Sequence, residues 1–253
     1  MPRFDAGYVP RSAMAIYAHP DDIEFTVAGT VAKWARAGCE VTFVLLTSGN
    51  SGTHDRKFTR KSLARVRERE ERESARILGA ARVVFLRHGD CELVPTLALR
   101  KELVRRIRRH RPEVVLCNDP QALFFGDRYI NHPDHLAAGK LALEAVFPCC
   151  EMELLWPEKG RAHKVHAVYV GATHQPDTWI DVTATIDRKI AALRAHKSQL
   201  GERDIAPLIY DWAREDGRRA PARKAGGKGR LGKPKYAESF RIMQLLKDEP
   251  GDD

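Results

Sequence analysis

The chain has 253 residues, 43% of them hydrophobic, which suits one α/β domain with an ample core over residues 1–253 and calls for no second. Seven of its nine net positive charges fall between Ala213 and Lys235, in a stretch of nine basic residues against two acidic ones, leaving about +2 for the rest and no broad basic surface. Five cysteines (Cys39, Cys91, Cys117, Cys149 and Cys150) form no CxxC pair, and the first apolar run is too short for a membrane span or a signal peptide; reduced, mostly buried thiols in a cytoplasmic protein without membrane insertion are expected.

Apolar runs of strand length alternate with segments of helical period. Strands are expected at Ala13 to Ala18, Val41 to Leu46, Arg82 to Leu86, Glu113 to Cys117 and Val165 to Val170. Helices are expected at Thr26 to Ala37, Lys61 to Leu78, Thr96 to His110, Asp134 to Phe147 and Thr185 to His196. That alternation predicts a Rossmann-like α/β fold, a mostly parallel sheet with helices on both faces and a ligand crevice at the carboxyl ends of its strands. The Ala213 to Lys235 stretch, rich in glycine and with Pro221 and Pro234, reads as a flexible basic loop, either simply solvated or an arm for nucleic acid or another anionic polymer.

Two junctions carry chemistry. His19 to Asp22 (HPDD) follows the first strand, and His132 to His135 (HPDH) follows the fourth after a long connection and opens a helix. A lone HPD can be a capping turn, but two of them at strand ends point to one shared site. In HPDD, His19 and Asp22 can converge on one ion, leaving Asp21 beside it without ligating it; His135 adds a second imidazole. Two nitrogens and one carboxylate, with a place kept for water, suit a catalytic Zn2+ site; the same set also suits Fe2+. Asp21 is then placed to take a proton from an attacking water, and His132, as a protonated imidazole, to stabilise an oxyanion. Asp134 either orients a histidine as a second-layer acceptor or serves as a helix N-terminal carboxylate.

The Lys61 to Leu78 helix adds a second signal. At 100° per residue Leu63, Val66, Ser74, Ile77 and Leu78 share a face with Arg67 and Glu70, while Arg65, Glu68, Arg69, Arg72 and Arg76 lie elsewhere and can form solvent-side i,i+4 pairs. Arg67 is therefore either a buried partner of Glu70 or a group pointing into the site, where it could offer its donor fork to sugar hydroxyls; Asp90, after the third strand, could accept from them.

These features resemble the LmbE-like, or PIG-L, deacetylase family. The likeness rests on AHPDD from Ala18, GT at Gly29, TSGNSGT from Thr47, RERE from Arg67, ILG from Ile77, HPDH from His132, HKSQ from His196 and YAESFRIM from Tyr236. The resemblance implies a Rossmann-like fold, zinc on His19, Asp22 and His135, Asp21 as general base and His132 as the oxyanion-stabilising group. It places Arg67 and Asp90 at substrate-binding positions. The implied reaction is removal of an N-acetyl group from an N-acetylglucosamine-containing substrate by a homo-oligomer, and the tail motifs are most similar to diacetylchitobiose deacetylases. The usual glycine-rich run after HPDD is here IEFTVAG, with Thr26 and Val27 where small residues are common. Cleavage of a larger acyl group by the same chemistry is the alternative, and binding of nucleic acid through the basic stretch the reading from a different class.

Overall fold

The apolar runs become the strands of a sheet whose central members are buried on both faces. In the computed structural model, which describes residues 5–222 and 232–245, they are β1 (Ser12–Tyr17), β2 (Glu40–Thr47), β3 (Arg82–His88) and β4 (Val114–Asn118), then a hairpin of β5 (Phe124–Phe125) and β6 (Tyr129–Ile130), and β7 (Ala167–Gly171). Two further strands, β8 (Thr178–Asp181) and β9 (Ala237–Gln244), complete a sheet of order β3-β2-β1-β4-β7-β9-β8. The first five strands in that order run parallel, and β9 is antiparallel to both of its neighbours.

Alternate residues of each strand enter opposite cores. Ala13, Ala15 and Tyr17 join one cluster with Phe43, Leu45 and Tyr169; Met14, Ile16 and Ala18 join the other with Val44, Leu46 and Val168. The first is covered by α2 (Ala28–Arg36), α3 (Arg60–Leu78), α6 (Ile186–Leu193) and α8 (Ala206–Arg219), and the second by α4 (Leu97–His110) and α5 (Pro133–Glu144). Among the described residues no helix is long and apolar enough to cross a membrane.

Several boundaries differ from the sequence reading. The helix expected from Thr26 breaks at Val27, so that α1 (Asp22–Thr26) is a separate turn opening directly from HPDD. The helix expected to reach Phe147 ends at Glu144 and continues as a wider turn, Ala145–Cys149, that contains Pro148. The last expected helix ends at Leu193 and resumes as α7 (Lys197–Leu200).

The expected basic loop needs correction over its first part. Residues 213–219 belong to α8, which buries Ile209, Ala213 and Gly217 at helical spacing; a Cβ on Gly217 would lie 2.5 Å from the Pro234 carbonyl oxygen, so the returning chain packs directly on this helix. Residues 223–231 of the stretch lie outside the described residues.

The tail motif has a structural task. Glu238 on β9 accepts the amides of Gly29 (2.9 Å) and Thr30 (2.7 Å) and pairs with the Lys189 ammonium at 2.7 Å. It thus caps the first turn of α2, and Gly29 is required because a Cβ there would meet Val182 at 2.8 Å. The GT and YAESF segments are two halves of one capping contact.

β1 feeds β2 on one side of the sheet, while β4 stands on the other side. The crevice beyond their carboxyl ends is the switch point of the fold, and both HPD segments open into it.

Candidate metal centre and active site

The site begins with two imidazoles whose outer nitrogens are spoken for. The Nε2 of His19 lies 3.1 Å from Asp134 Oδ2 and 3.1 Å from Asp90 Oδ1, so its hydrogen sits there and Nδ1 is left facing Asp22 Oδ2 at 3.5 Å. His135 is arranged the other way round. Its Nδ1 lies 2.8 Å from the Asn131 side-chain oxygen, which also accepts the His132 amide, while the Asn131 amide group donates to the Ala122 carbonyl. The Nδ1 of His135 therefore carries the hydrogen, and the bare Nε2 stands 3.0 Å from Asp22 Oδ1.

In the neutral rings two nitrogen lone pairs thus face one carboxylate, an arrangement that a proton or a metal ion would complete. The surrounding charge agrees: Asp21, Asp22, Asp90 and Asp134 converge here, with Arg67 as the nearby fixed cation. Burial pushes the His19 pKa down, but Asp22, Asp134 and Asp90 outweigh it and hold it well above the usual value. A metal ion would take the place of that proton. The three imidazoles of His19, His132 and His135 also lie close enough to share an ion, and Asp22 touches two of them.

His132 is the N-cap of α5, and its Nδ1 accepts the Asp134 amide at 3.1 Å. The neutral ring must then carry its hydrogen on Nε2. Burial, with His19 and His135 beside it, lowers its pKa. The structure thus differs from the expected protonated imidazole: capping the helix and sitting among other imidazoles both favour the neutral, Nε2-protonated form, which still offers one donor. Asp134 lies in the first turn of α5, and its carboxylate accepts from His19 and from the Cys91 (2.7 Å) and Leu93 (3.2 Å) amides of the segment after β3, so that it meets His19 as the first of its two readings held.

Asp21 occupies a left-handed turn, φ 99°, between the ligand candidates. Its Oδ2 lies 3.1 Å from Arg67 Nη2, which also donates to the Pro20 carbonyl at 2.5 Å, while Nη1 donates to the Gly49 carbonyl at 3.0 Å. Burial raises the Asp21 pKa, and Arg67 opposes the rise. Arg67 therefore points into the site, as one of its two readings held, but its fork is taken up by Asp21 and two loop carbonyls. The TSGNSGT segment makes room for it: Gly49 has φ +57°, and a Cβ there would lie 2.1 Å from the guanidinium. Asp90 is likewise buried, accepting the Ser51 amide (3.1 Å) as well as facing His19.

Glu70 is not the partner of Arg67; it accepts from the Ser198 amide (2.8 Å) and hydroxyl (2.6 Å), linking α3 to α7. Glu68, expected on the solvent side, is buried because Arg87 on β3, Arg72 and Ser48 close over it.

Behind Asp21 lies a group that sequence reasoning did not find: Glu24, Glu71 and His196, each 0% exposed. The His196 Nε2 is 3.6 Å from Glu24 Oε2 and 3.7 Å from Glu71 Oε2, and Glu71 Oε2 accepts the Asp21 amide at 3.2 Å. Ser74 donates to Glu24. Arg67, Glu71 and Ser74 recur at helical spacing on α3, and His196 stands in HKSQ, so the signals were present in the chain. Which distant carboxylate they meet was not.

Comparison with known proteins places the chain in a family. The family model described as "PIG-L: GlcNAc-PI de-N-acetylase" matches residues 14–146, which hold both HPD segments. The chain is 36% identical to the diacetylchitobiose deacetylase of Thermococcus kodakarensis over 241 residues, covering 92% of this chain and 83% of that protein. The solved N,N'-diacetylchitobiose deacetylase from Pyrococcus horikoshii is similar with a TM-score of 0.82 at 29% identity, covering 95% of this chain and 88% of that one. A 4-carboxy-2-hydroxymuconate hydratase from Pseudomonas putida KT2440 is similar with a TM-score of 0.74 at 25% identity, over 94% and 98%. By the family match and by its identity to a deacetylase over nearly its whole length, the chain belongs to the PIG-L family.

Proposed function

We propose that this protein is a zinc-dependent deacetylase that hydrolyses the N-acetyl group of an N-acetylglucosamine-containing substrate. The observation that carries the reading is the pairing of lone pairs on His19 Nδ1 and His135 Nε2 around the Asp22 carboxylate, with Asp21 held beside them by Arg67. Identity to a diacetylchitobiose deacetylase supports the amide as the bond attacked. The similarity to a hydratase means that the fold alone does not choose the reaction.

His19, Asp22 and His135 would hold the ion, which when bound acidifies a water and polarises the acyl carbonyl. Asp21 accepts the proton as water attacks the acetyl carbon and returns it to the departing amine nitrogen. Arg67 keeps the Asp21 carboxylate in place through this cycle. The Nε2–H of His132 donates to the oxygen of the tetrahedral intermediate. Asp134 and Asp90 fix the ring of His19 from the other side; in this reading both act through His19, and the sugar hydroxyls find their partners elsewhere. A homo-oligomer is part of this reading, as closed symmetric assemblies are common among soluble enzymes.

The test is release of free amine from N-acetylglucosamine, diacetylchitobiose and an N-acetylglucosaminyl-inositol by the zinc-loaded protein and by a chelated control. Chelator-sensitive release is expected on at least one of them; its absence on all three at full zinc occupancy contradicts the reading.

A further inference from the structure

The backbone at Asp21 is held in a conformation that an aspartate does not choose unaided. A left-handed turn at a non-glycine residue persists where its surroundings over-determine it, and such positions cluster at functional sites. Here α3 supplies the surroundings. Three residues on one of its faces grip successive parts of the loop from Pro20 to Glu24: Arg67 takes the Pro20 carbonyl and the Asp21 carboxylate, Glu71 takes the Asp21 amide, and Ser74 takes the Glu24 carboxylate.

Glu71 is the middle of these grips. Its side chain has no exposure and no role in the chemistry described above. Its Oε2 accepts the Asp21 N–H at 3.2 Å, while His196, also without exposure, stands 3.7 Å behind the same oxygen and 3.6 Å from Glu24. Without an acceptor on that side, the part-buried amide of residue 21 would be left unsatisfied, and rotation of the 20–21 peptide into the right-handed region would relieve both the strain and the lost bond. That rotation would move the Asp21 side chain away from Arg67.

We propose that Glu71 is a positioning residue for the Asp21 base: it holds residue 21 in the left-handed turn by accepting its amide, with His196 and Glu24 holding Glu71 in turn. The proposal rests on the reading of Asp21 as the base. It assigns work to Glu71, which directly follows the RERE segment, and to His196 of HKSQ, neither of which otherwise has a part in the reaction.

Two substitutions separate reach from the carboxyl group itself. Glu71→Asp keeps the carboxyl group but falls a methylene short of the amide; Glu71→Gln replaces the carboxyl group but keeps an oxygen within reach. In the zinc-loaded full chain, Glu71→Asp is expected to lower kcat by about 10–100-fold, since an ångström of misplacement costs that order of rate, with KM and zinc stoichiometry unchanged. Glu71→Gln should remain within about threefold of wild type, as rescue by a retained acceptor requires. Amide hydrogen exchange on the metal-free chain gives a readout independent of turnover: the Asp21 amide should lose protection in Glu71→Asp and keep it in Glu71→Gln, and if the aspartate variant does not fold, the glutamine variant decides by the same criterion. A Glu71→Asp protein with wild-type kcat, or a Glu71→Gln protein that loses both rate and Asp21 protection, overturns the proposal. Asp21→Asn separates the two levels, because full activity in that variant removes the base assignment itself, whereas an inactive Asp21→Asn beside a fully active Glu71→Asp removes only the positioning role.

Discussion

Arg67 Nη2 lies 3.1 Å from Asp21 Oδ2 while the same guanidinium bonds the carbonyls of Pro20 and Gly49. One planar fork therefore ties the carboxylate beside the proposed metal ligands to the loops that follow β1 and β2. Lysine would bring the same charge on a single nitrogen and could not span these acceptors. Arg67→Lys is accordingly expected to retain zinc but to lose about 10–100-fold in kcat, the order of loss that follows misplacement of a reacting group. Steady-state kinetics with metal analysis of the same sample checks it.

Asp134 orients His19 and is itself fixed by the amides of Cys91 and Leu93. Substitution by asparagine leaves the shape but removes the charge that favours the Nε2–H tautomer and the basicity of Nδ1. Removing such a supporting carboxylate costs about 10–100-fold in metal affinity or activity. For Asp134→Asn, competition with a fluorescent zinc chelator should report a weaker zinc affinity of that order; an unchanged affinity would mean that Asp90, also 3.1 Å from Nε2, suffices alone.

Glu68 offers a test away from the candidate metal centre. Burial pushes its pKa up, yet hydrogen bonds from Arg87, Ser48 and Arg72 win and hold it at about 2, below its ordinary 4.5. The folded chain then binds this proton less readily than the unfolded one. The contribution is complete above the unfolded value and fades as pH falls from there towards about 2. With both arginines half-exposed or more, solvent screening leaves on the order of 1 kcal/mol, or a Tm lower by about 2–4 °C for Glu68→Gln at pH 7. The difference between the two proteins should shrink through pH 4 and vanish near pH 2 in a series of thermal melts.

What the chain disclosed in advance follows from the range of each signal. Strands β1 to β4 and β7 read clearly because runs such as Val41 to Leu46 are apolar on both faces, as only buried parallel strands are. The site read clearly because HPDD and HPDH each carry their ligand candidates within four residues, at strand ends where a parallel sheet binds ligands. β8 and β9 escaped because they form an antiparallel edge whose strands, such as Ala237–Gln244, mix Glu238, Ser239 and Arg241 with apolar residues. α8 escaped for a related reason: its buried stripe, Ile209, Ala213 and Gly217, is thin, and the arginines around it suggested a solvated loop. Glu68 was placed on the wrong side because helical periodicity sees only its own helix, whereas Arg87 reaches over from β3. The Glu24, Glu71 and His196 group joins three elements separated by up to 172 positions, a meeting that no local pattern records.

The most direct test of the account is to measure zinc content and amine release on the same preparations of wild type, Asp21→Asn and His135→Ala. The account predicts that Asp21→Asn keeps stoichiometric zinc and loses about 10²–10⁴-fold in turnover, the usual weight of a general base, while His135→Ala loses the metal and turnover together. Wild-type turnover in Asp21→Asn, or full zinc occupancy in His135→Ala, would contradict it.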